Sequence, residues 1–341
     1  MVSVTGSAVR SGGAFQTSTS TRRYWFVLGA LLLLAVVFVA GLIAWDNPVD
    51  FGTRGYWLIA KRRLNAVVAM LVVALCQAVA TVAFQTVTNN RILTPSIMGF
   101  ESLYVAIHTA TVYFLGAAGL NNARTLEMFL AQLVLMVGLS LVLYSWLLTD
   151  HRSNMHAMLL VGIVIGGGLA SLSTFMQRML TPSEFDVLTA RMFGSVNNAD
   201  PQYYPVAVPL VVIAVALMYA NSRRLNVLAL GRDVSVNLGV SHRRHAIFTL
   251  LLVSVLMAVS TALVGPMTFL GFLVATLAYQ FTDTYDHRHI FPMAFLLGFV
   301  ILSGAYFIMN HIFYAQGVVS IIIELVGGLT FLVVILRKGR L

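Results

Sequence analysis

The sequence contains few charged residues, only two lysines and a single cysteine. Of its 341 residues 10% are charged, against about 25% in an average soluble domain. The hydrophobic fraction is 59%, and one cysteine, Cys76, excludes a disulfide within the chain. This composition excludes a soluble domain and predicts an all-α polytopic membrane protein.

Sequence motifs for catalysis, nucleotide binding and metal binding are also missing. The two lysines, Lys61 and Lys338, do not follow a glycine-rich turn, so there is no phosphate-binding loop. There is no G-x-S-x-G or H-E-x-x-H motif, and His108 and His311 lack neighbouring ligands at metal-binding spacing. We therefore predict no catalytic residue, no metal ligand and no cofactor, and the chain is not expected to be an enzyme.

Ten apolar segments divide the chain. Residues 1–23 are rich in Ser, Thr and Gly and are expected to form a disordered cytoplasmic tail, whereas residues 24–337 form the transmembrane domain. Gly265 and Pro266 separate the short eighth segment from the seventh, and such a break must be sheltered by protein. The predicted spans are 24–45, 64–87, 99–115, 126–148, 157–180, 204–220, 246–264, 268–281, 290–309 and 318–336.

The distribution of basic residues predicts the orientation. The net charge of +9 does not indicate nucleic-acid binding, because the basic residues lie between apolar spans and face the membrane surface and its anionic lipids. With the N-terminus inside, about two thirds of the 21 Lys and Arg residues fall on the inner side, as the positive-inside rule requires. Both termini are therefore expected in the cytoplasm.

A basic cluster stands on the side predicted to be outside. Lys61, Arg62 and Arg63 are adjacent there, where the positive-inside rule disfavours them. They either extend to the membrane interface along their aliphatic stems or form a docking patch for an acidic partner. Both alternatives remain open from the sequence.

The polar segment at residues 221–245 is predicted to be a cytoplasmic coupling loop that carries a short amphipathic helix. Asp233 can charge its first turn, Val234, Leu238 and Val240 form an apolar strip, and Gly239 can end it. Five arginines flank or enter this helix, which places it on the cytoplasmic side: Arg223, Arg224, Arg232, Arg243 and Arg244. The helix is suited to binding a cytoplasmic partner.

Four motifs, in order, resemble those of the membrane-spanning permeases of bacterial ABC importers for iron-siderophore complexes, haem and cobalamin. Some positions depart from the family pattern: Ser235 replaces an alanine, Ala275 and Thr276 replace a Pro-His pair, and the last motif lacks its prolines. The matching residues are Gln85, Asn90, Leu93, Pro95 and Gly99; Gly231, Leu238, Gly239 and Val240; Gly265, Pro266, Asp286, His287 and Arg288; and Gly317, Val319, Gly327 and Phe331.

The resemblance implies a type II ABC importer permease in the bacterial inner membrane. Such a permease would pair with itself or a sister chain, bind two cytoplasmic ATPase subunits, and receive an iron-siderophore complex from a periplasmic or lipid-anchored solute-binding protein. The expected ATPase-coupling residues are Gly231, Asp233, Val234, Leu238, Gly239 and Val240, and the expected docking residues are Lys61, Arg62 and Arg63.

Small residues in the fifth span, Gly162, Gly166, Gly167 and Ser171, predict either close helix packing or a smooth translocation path.

An alternative function remains, in which the chain is an ion-coupled secondary transporter. Glu101 and Glu324 would then carry protons or sodium, because carboxylates inside a membrane are costly and usually functional.

Overall fold

The computed structural model describes residues 13–338, except residues 16, 46, 123–124, 150–154 and 312–318. Within these residues there are thirteen α-helices, three short 3-10 helices and no β-strand. The α-helices are α1 (Ser18–Ala44), α2 (Arg54–Val87), α3 (Phe100–Asn122), α4 (Leu126–Thr149), α5 (Met155–Gln177), α6 (Pro182–Met192), α7 (Tyr204–Ala220), α8 (Ser222–Leu228), α9 (Arg232–Asn237), α10 (His242–Val264), α11 (Thr268–Thr282), α12 (His287–His311) and α13 (Val319–Lys338).

Each of the ten predicted spans coincides with one helix, and the three short helices α6, α8 and α9 lie in the connections. Six helices in the described ranges are long and apolar enough to cross a membrane on their own. Shorter apolar stretches occur at Leu126–Val142, Thr268–Thr282 and Val319–Val333. The prediction of an all-α polytopic membrane fold is confirmed.

Two helices begin six or more residues earlier than predicted. Helix α1 begins at Ser18, because the Thr17 hydroxyl accepts a hydrogen bond from the backbone N–H of Ser20 and caps the first turn. Residues 18–23 are thus helical rather than part of a disordered tail, and residues 1–12 of that predicted tail lie outside the described residues. Helix α2 begins at Arg54 instead of residue 64, so the basic cluster lies inside this helix.

Helix α2 is the centre of the bundle. In its most apolar window 83% of the residues are buried, against 11% in α1, and α10 and α12 pack along it. Many of its buried side chains are small, such as Ala74, Ala78 and Ala80, which lets neighbouring helices approach closely. Gln77 also donates a buried hydrogen bond of 3.1 Å to Ser260 of α10, so the central contact is polar as well as apolar.

The backbone is broken between α2 and α3 and again between α10 and α11. At the first break a 3-10 helix at Pro95–Met98 ends at Gly99, whose φ of +92° requires glycine. At the second, Gly265 has a φ of +91°, and the backbone N–H of Ser195 donates to the Val264 carbonyl at 2.7 Å. Protein therefore shelters this second break, as the sequence predicts.

The segment after α6 contacts the second break with almost no space between the backbones. A Cβ added at Gly194 would lie 2.2 Å from the Pro266 carbonyl oxygen, and one added at Gly265 would lie 3.1 Å from the Gly194 Cα. The site at Gly194 therefore accepts glycine only, because any side chain with a Cβ atom would clash with the Pro266 carbonyl. The contact holds the α6–α7 connection against the end of α10.

We expect Gly194→Ala to lower the melting temperature of the purified protein in detergent. The added methyl group forces two backbone segments apart, and overpacking of this kind typically costs about 1–3 kcal/mol. Gly138→Ala in α4 is the matched control, because a Cβ there meets nothing within 4 Å. Equal melting temperatures for the two variants would contradict the close contact.

Candidate functional site

Helices α8 and α9, with the turn between them, form an arm at residues 221–241. Helix α8 is anchored in the bundle through Leu225 and Leu228, which are fully buried. Gly231 turns the chain with a φ of +92°, and the buried Ser235 hydroxyl donates to the Val227 carbonyl at 3.0 Å. Because this bond fixes α9 to α8, the two short helices form one unit.

Large apolar side chains are exposed in α9 and directly beside it. Val234 is 44% exposed and Leu238 is 59% exposed, as the amphipathic pattern predicts. Leu230 and Val236, which the sequence pattern did not single out, are also exposed. Val240 is partly buried and packs against the hydrophobic core, so it contributes less to this exposed strip. An exposed apolar patch outside the membrane spans marks an interaction site.

The ends of α9 follow the sequence pattern. Asp233 lies exposed in the first turn, where its negative charge is favourable beside the helix dipole. Gly239 follows the last turn with a φ of +77°, and the backbone N–H of Val240 donates to the Ser235 carbonyl at 2.9 Å. Glycine at this position allows the chain to reverse directly into α10.

A hydrogen-bond network joins the arm to two long helices. The Asn226 side chain donates to the Asp286 carboxylate at 2.9 Å and accepts from the backbone N–H of His287 at 3.0 Å. The Nε2 atom of His287 lies 2.7 Å from the Thr86 hydroxyl at the end of α2. The arm is thus connected through one asparagine to α12 and, through His287, to α2.

Charge on Asp286 is favoured at neutral pH. Burial raises the pKa of this carboxyl, but the hydrogen bonds from Asn226 and from the backbone of Arg288 outweigh it, so the pKa lies below the ordinary 3.8. Because folding lowers this pKa, the ionised carboxylate stabilises the folded state. This stabilisation is complete above the ordinary pKa of 3.8 and is lost as the pH falls through the lower pKa of the folded state. The Asp286 carboxylate is therefore charged under physiological conditions.

The first family motif closes the C-terminal end of α2. Gln85 donates to the Arg91 carbonyl at 2.8 Å, and the Asn90 side chain accepts from the backbone N–H of Ile92 at 2.9 Å. The Arg91 guanidinium lies 4.6 Å from the centre of the Tyr279 ring, which favours a cation-π contact. These residues thus hold the turn that leads into the first backbone break.

The small residues of helix α5 lie in two environments, packed against neighbouring segments or exposed. Gly166 packs against Gly99, and a Cβ added at Gly166 would lie 3.2 Å from the Gly99 Cα. Gly162 likewise faces Met98, whereas Gly167 and Ser171 are exposed. Two of the four predicted path residues therefore pack inside the protomer, and the other two lie on an open face.

Two hollows adjoin α5. One, of about 420 Å³, is lined by Ala170, Ser171, Thr174, Phe175 and Arg178. The other, of about 270 Å³, shares Ala170 and Thr174 and also has the side chains of Ser102, Ser173 and Gln177 on its wall. Small, hydroxyl and amide side chains make up about half of the walls, and Arg178 and Glu101 add one ionisable group to each hollow.

Glu101 links the two backbone breaks. Its Oε2 atom accepts a hydrogen bond of 2.6 Å from the Thr268 hydroxyl at the start of α11. Its Oε1 atom is buried and has no hydrogen-bond partner within the described residues. Glu324 of α13, which is half-buried, is close enough to interact with it electrostatically. The structure thus gives Glu101 a definite packing role between α3 and α11.

The three residues of the basic cluster on α2 differ in exposure. Lys61 and Arg62 are exposed, whereas Arg63 is half-buried. Its Nη1 atom donates to the carbonyl of Trp45 at 2.7 Å and to that of Leu42 at 3.3 Å. Arg63 therefore satisfies carbonyl groups at the C-terminus of α1, which sequence inspection missed because the partners lie about twenty positions earlier.

The architecture agrees with comparisons between this sequence and known proteins. The sequence model of the FecCD transport family matches residues 27–337. The chain belongs to the FecCD transport family. It is 54% identical to the petrobactin import system permease protein FatC of Bacillus anthracis, over 97% of this chain and 94% of that protein. It is 35% identical to the petrobactin import system permease protein YclO of Bacillus subtilis strain 168, over 91% and 97%.

A solved structure has the same fold. It is described as an inward-facing conformation of a protein assigned to the metal-chelate type ABC transporters, and it superimposes with a TM-score of 0.75 at 21% identity. The match covers 92% of this chain and 99% of that one. The predicted family resemblance and permease architecture are confirmed, and this FecCD family member is a multi-pass transport protein rather than an enzyme.

We expect Asn226→Ala to loosen the arm. Asp286 and the backbone of His287 would lose a common partner, and a partly buried polar group left unpaired costs about 1–3 kcal/mol. The melting temperature should fall, and trypsin should cleave faster at the arginines of residues 221–245. Asn237→Ala on the exposed side of α9 is the matched control. If both variants were cleaved at the wild-type rate, the network would not hold the arm.

Proposed function

We propose that this chain is a permease subunit of an ATP-driven importer that carries an iron-siderophore chelate across the bacterial cytoplasmic membrane. The observation that carries the proposal is the 54% identity, along 97% of the chain, to a permease named for petrobactin import. A second relative with the same substrate in its name covers 91% of the chain. Petrobactin, or a chelate of similar shape and charge, is therefore the proposed substrate.

ATP hydrolysis is assigned to separate chains, because this sequence has no phosphate-binding loop. The exposed apolar side chains in and beside α9, namely Leu230, Val234, Val236 and Leu238, are the proposed contact for an ATPase subunit. Arginines on both sides of it support a cytoplasmic position. Both chain termini would then lie in the cytoplasm as well.

The chelate is proposed to pass along the open face of α5. Gly167 and Ser171 lie on this face, and the hollows beside it include small and hydroxyl side chains together with Arg178 and Glu101. A second permease, either another copy or a sister chain, would form the opposite wall. Movement of the arm would be transmitted through Asn226 to α2 and α12, so that the path opens alternately to each side.

We expect Leu238→Asp to abolish chelate uptake and the co-purification of an ATPase subunit. The substitution places a charge in the centre of the exposed apolar surface, where it would be desolvated on contact. Asn237→Asp introduces the same charge at a neighbouring exposed position and should leave both measurements near the wild-type level. Retention of the ATPase by the Leu238 variant would exclude α9 as the coupling site.

A solute-binding protein is the proposed partner of the basic cluster on α2. Lys61 and Arg62 are exposed and adjacent, so they present two positive charges to an acidic surface. Arg63 belongs to the same sequence cluster, but its hydrogen bonds to the end of α1 give it a structural role. The three residues should therefore respond differently to mutation.

We expect the double charge reversal Lys61→Glu with Arg62→Glu to weaken binding of the solute-binding protein at least tenfold without changing the melting temperature. Arg63→Gln should instead lower the melting temperature, because it leaves the carbonyls of α1 with fewer donors. Binding is measured by surface plasmon resonance on permease in nanodiscs at two salt concentrations. Unchanged affinity of the double variant would exclude the docking role.

A further inference from the structure

A cavity separate from the α5 hollows lies at the end of the bundle away from the arm. It has a volume of about 120 Å³ and is enclosed by α3, α4, the chain from Arg191 to Tyr203, and the last turn of α10. Leu263 of α10 lies on its wall, about twenty residues along that helix from the arm. This position gives the cavity no part in the proposed contact with the ATPase.

The walls of this cavity are firmly packed. Phe129 of α4 stacks on Tyr203 with ring centres 4.6 Å apart and an interplanar angle of 5°. Tyr104 of α3 contacts the His108 ring at 4.3 Å and donates a hydrogen bond of 3.4 Å to the Arg191 carbonyl. Aromatic packing and a hydrogen bond thus fix three of the elements that enclose the space.

Two buried donors on the walls lack a partner. Gln132 is 8% exposed and its Nε2 atom makes no hydrogen bond with any described residue, and the same holds for Nη2 of Arg191. Asp200 also lines the cavity, but its carboxylate accepts hydrogen bonds from Gln202. It forms no ion pair with Arg191 in the described ranges. Buried donors are normally satisfied, and an unpartnered guanidinium N–H on the same cavity as an unpartnered amide N–H favours an anionic acceptor.

The size and surroundings of the cavity define this acceptor further. Its volume corresponds to about four water molecules at about 30 Å³ each, which suits a single phosphate or carboxylate group but not a whole chelate. Leu135, on the wall, is 53% exposed, and the neighbouring Val134 is 72% exposed. The space therefore borders an apolar face of α4 of the kind that contacts acyl chains.

We propose that this cavity binds the phosphate of a membrane phospholipid. Arg191 and Gln132 donate to the phosphate oxygens, and an acyl chain lies along Leu135 and the exposed face of α4. The lipid would connect α3 and α4 to the chain that leads from Arg191 into the Gly194 contact with α10. This proposal depends on the membrane fold and is independent of the transported substrate.

The test measures binding of dihexanoyl phosphatidylglycerol and of inorganic phosphate to the delipidated full-length protein in detergent. We expect the lipid to raise the melting temperature, and Arg191→Gln to weaken its binding at least tenfold, the loss expected for one charge-assisted hydrogen bond. Gln132→Leu should also weaken lipid binding, while the ligand-free protein keeps or gains stability because an unpaired buried donor is removed. Arg54→Gln, at an exposed arginine, is the control.

The outcomes separate the two sources of phosphate. Inorganic phosphate that binds the wild type as tightly as the lipid would make a free anion the ligand and overturn the lipid assignment. Leu135→Trp fills the apolar border from an exposed position, so it should weaken lipid binding and leave phosphate binding unchanged. Equal lipid binding by the wild type and by the Arg191 and Gln132 variants would overturn the proposal, because water alone would then occupy the cavity.

Discussion

Backbone groups that leave a helix inside a bilayer must find partners in protein, because lipid offers none. At the second break the backbone N–H of Ser195 meets this constraint by donating to the Val264 carbonyl. At both breaks glycines bring backbone segments into close contact: Gly99 with Gly166, and Gly265 with Gly194. The Thr268 hydroxyl then joins the second break to Glu101, which follows the first. The positions of α3, α5 and α11 thus depend on close contacts at glycine residues and on one hydroxyl–carboxylate hydrogen bond.

Hydrogen bonds and buried side chains connect the arm to the long helices. Helix α9 exposes an apolar surface, while α8 is buried and bonded through Asn226 to Asp286 and His287. His287 in turn contacts Thr86, at the end of the most buried helix. These contacts connect α9 to the centre of the bundle, as the proposed transmission of its movement requires.

Local sequence features predicted much of this structure, and long-range contacts account for what they missed. Apolar periodicity located ten helices, and the glycine and charge pattern located α9, because these signals lie within a few turns. The start of α2 was placed too late, since its first turns carry the basic residues Arg54 and Lys61. The capping role of Arg63 and the network of Asn226 depend on partners about 20 and 60 positions away, which no local pattern reveals.

The central claim, that ATP drives import through this chain, is tested most directly in proteoliposomes. The permease is reconstituted with its ATPase and any sister permease, ATP is enclosed, and the binding protein with iron-loaded petrobactin is added outside. We predict uptake of iron that requires enclosed ATP and continues when an ionophore collapses the membrane potential and pH gradient. Uptake without ATP that stops on addition of the ionophore would contradict the account and support ion coupling through Glu101 and Glu324.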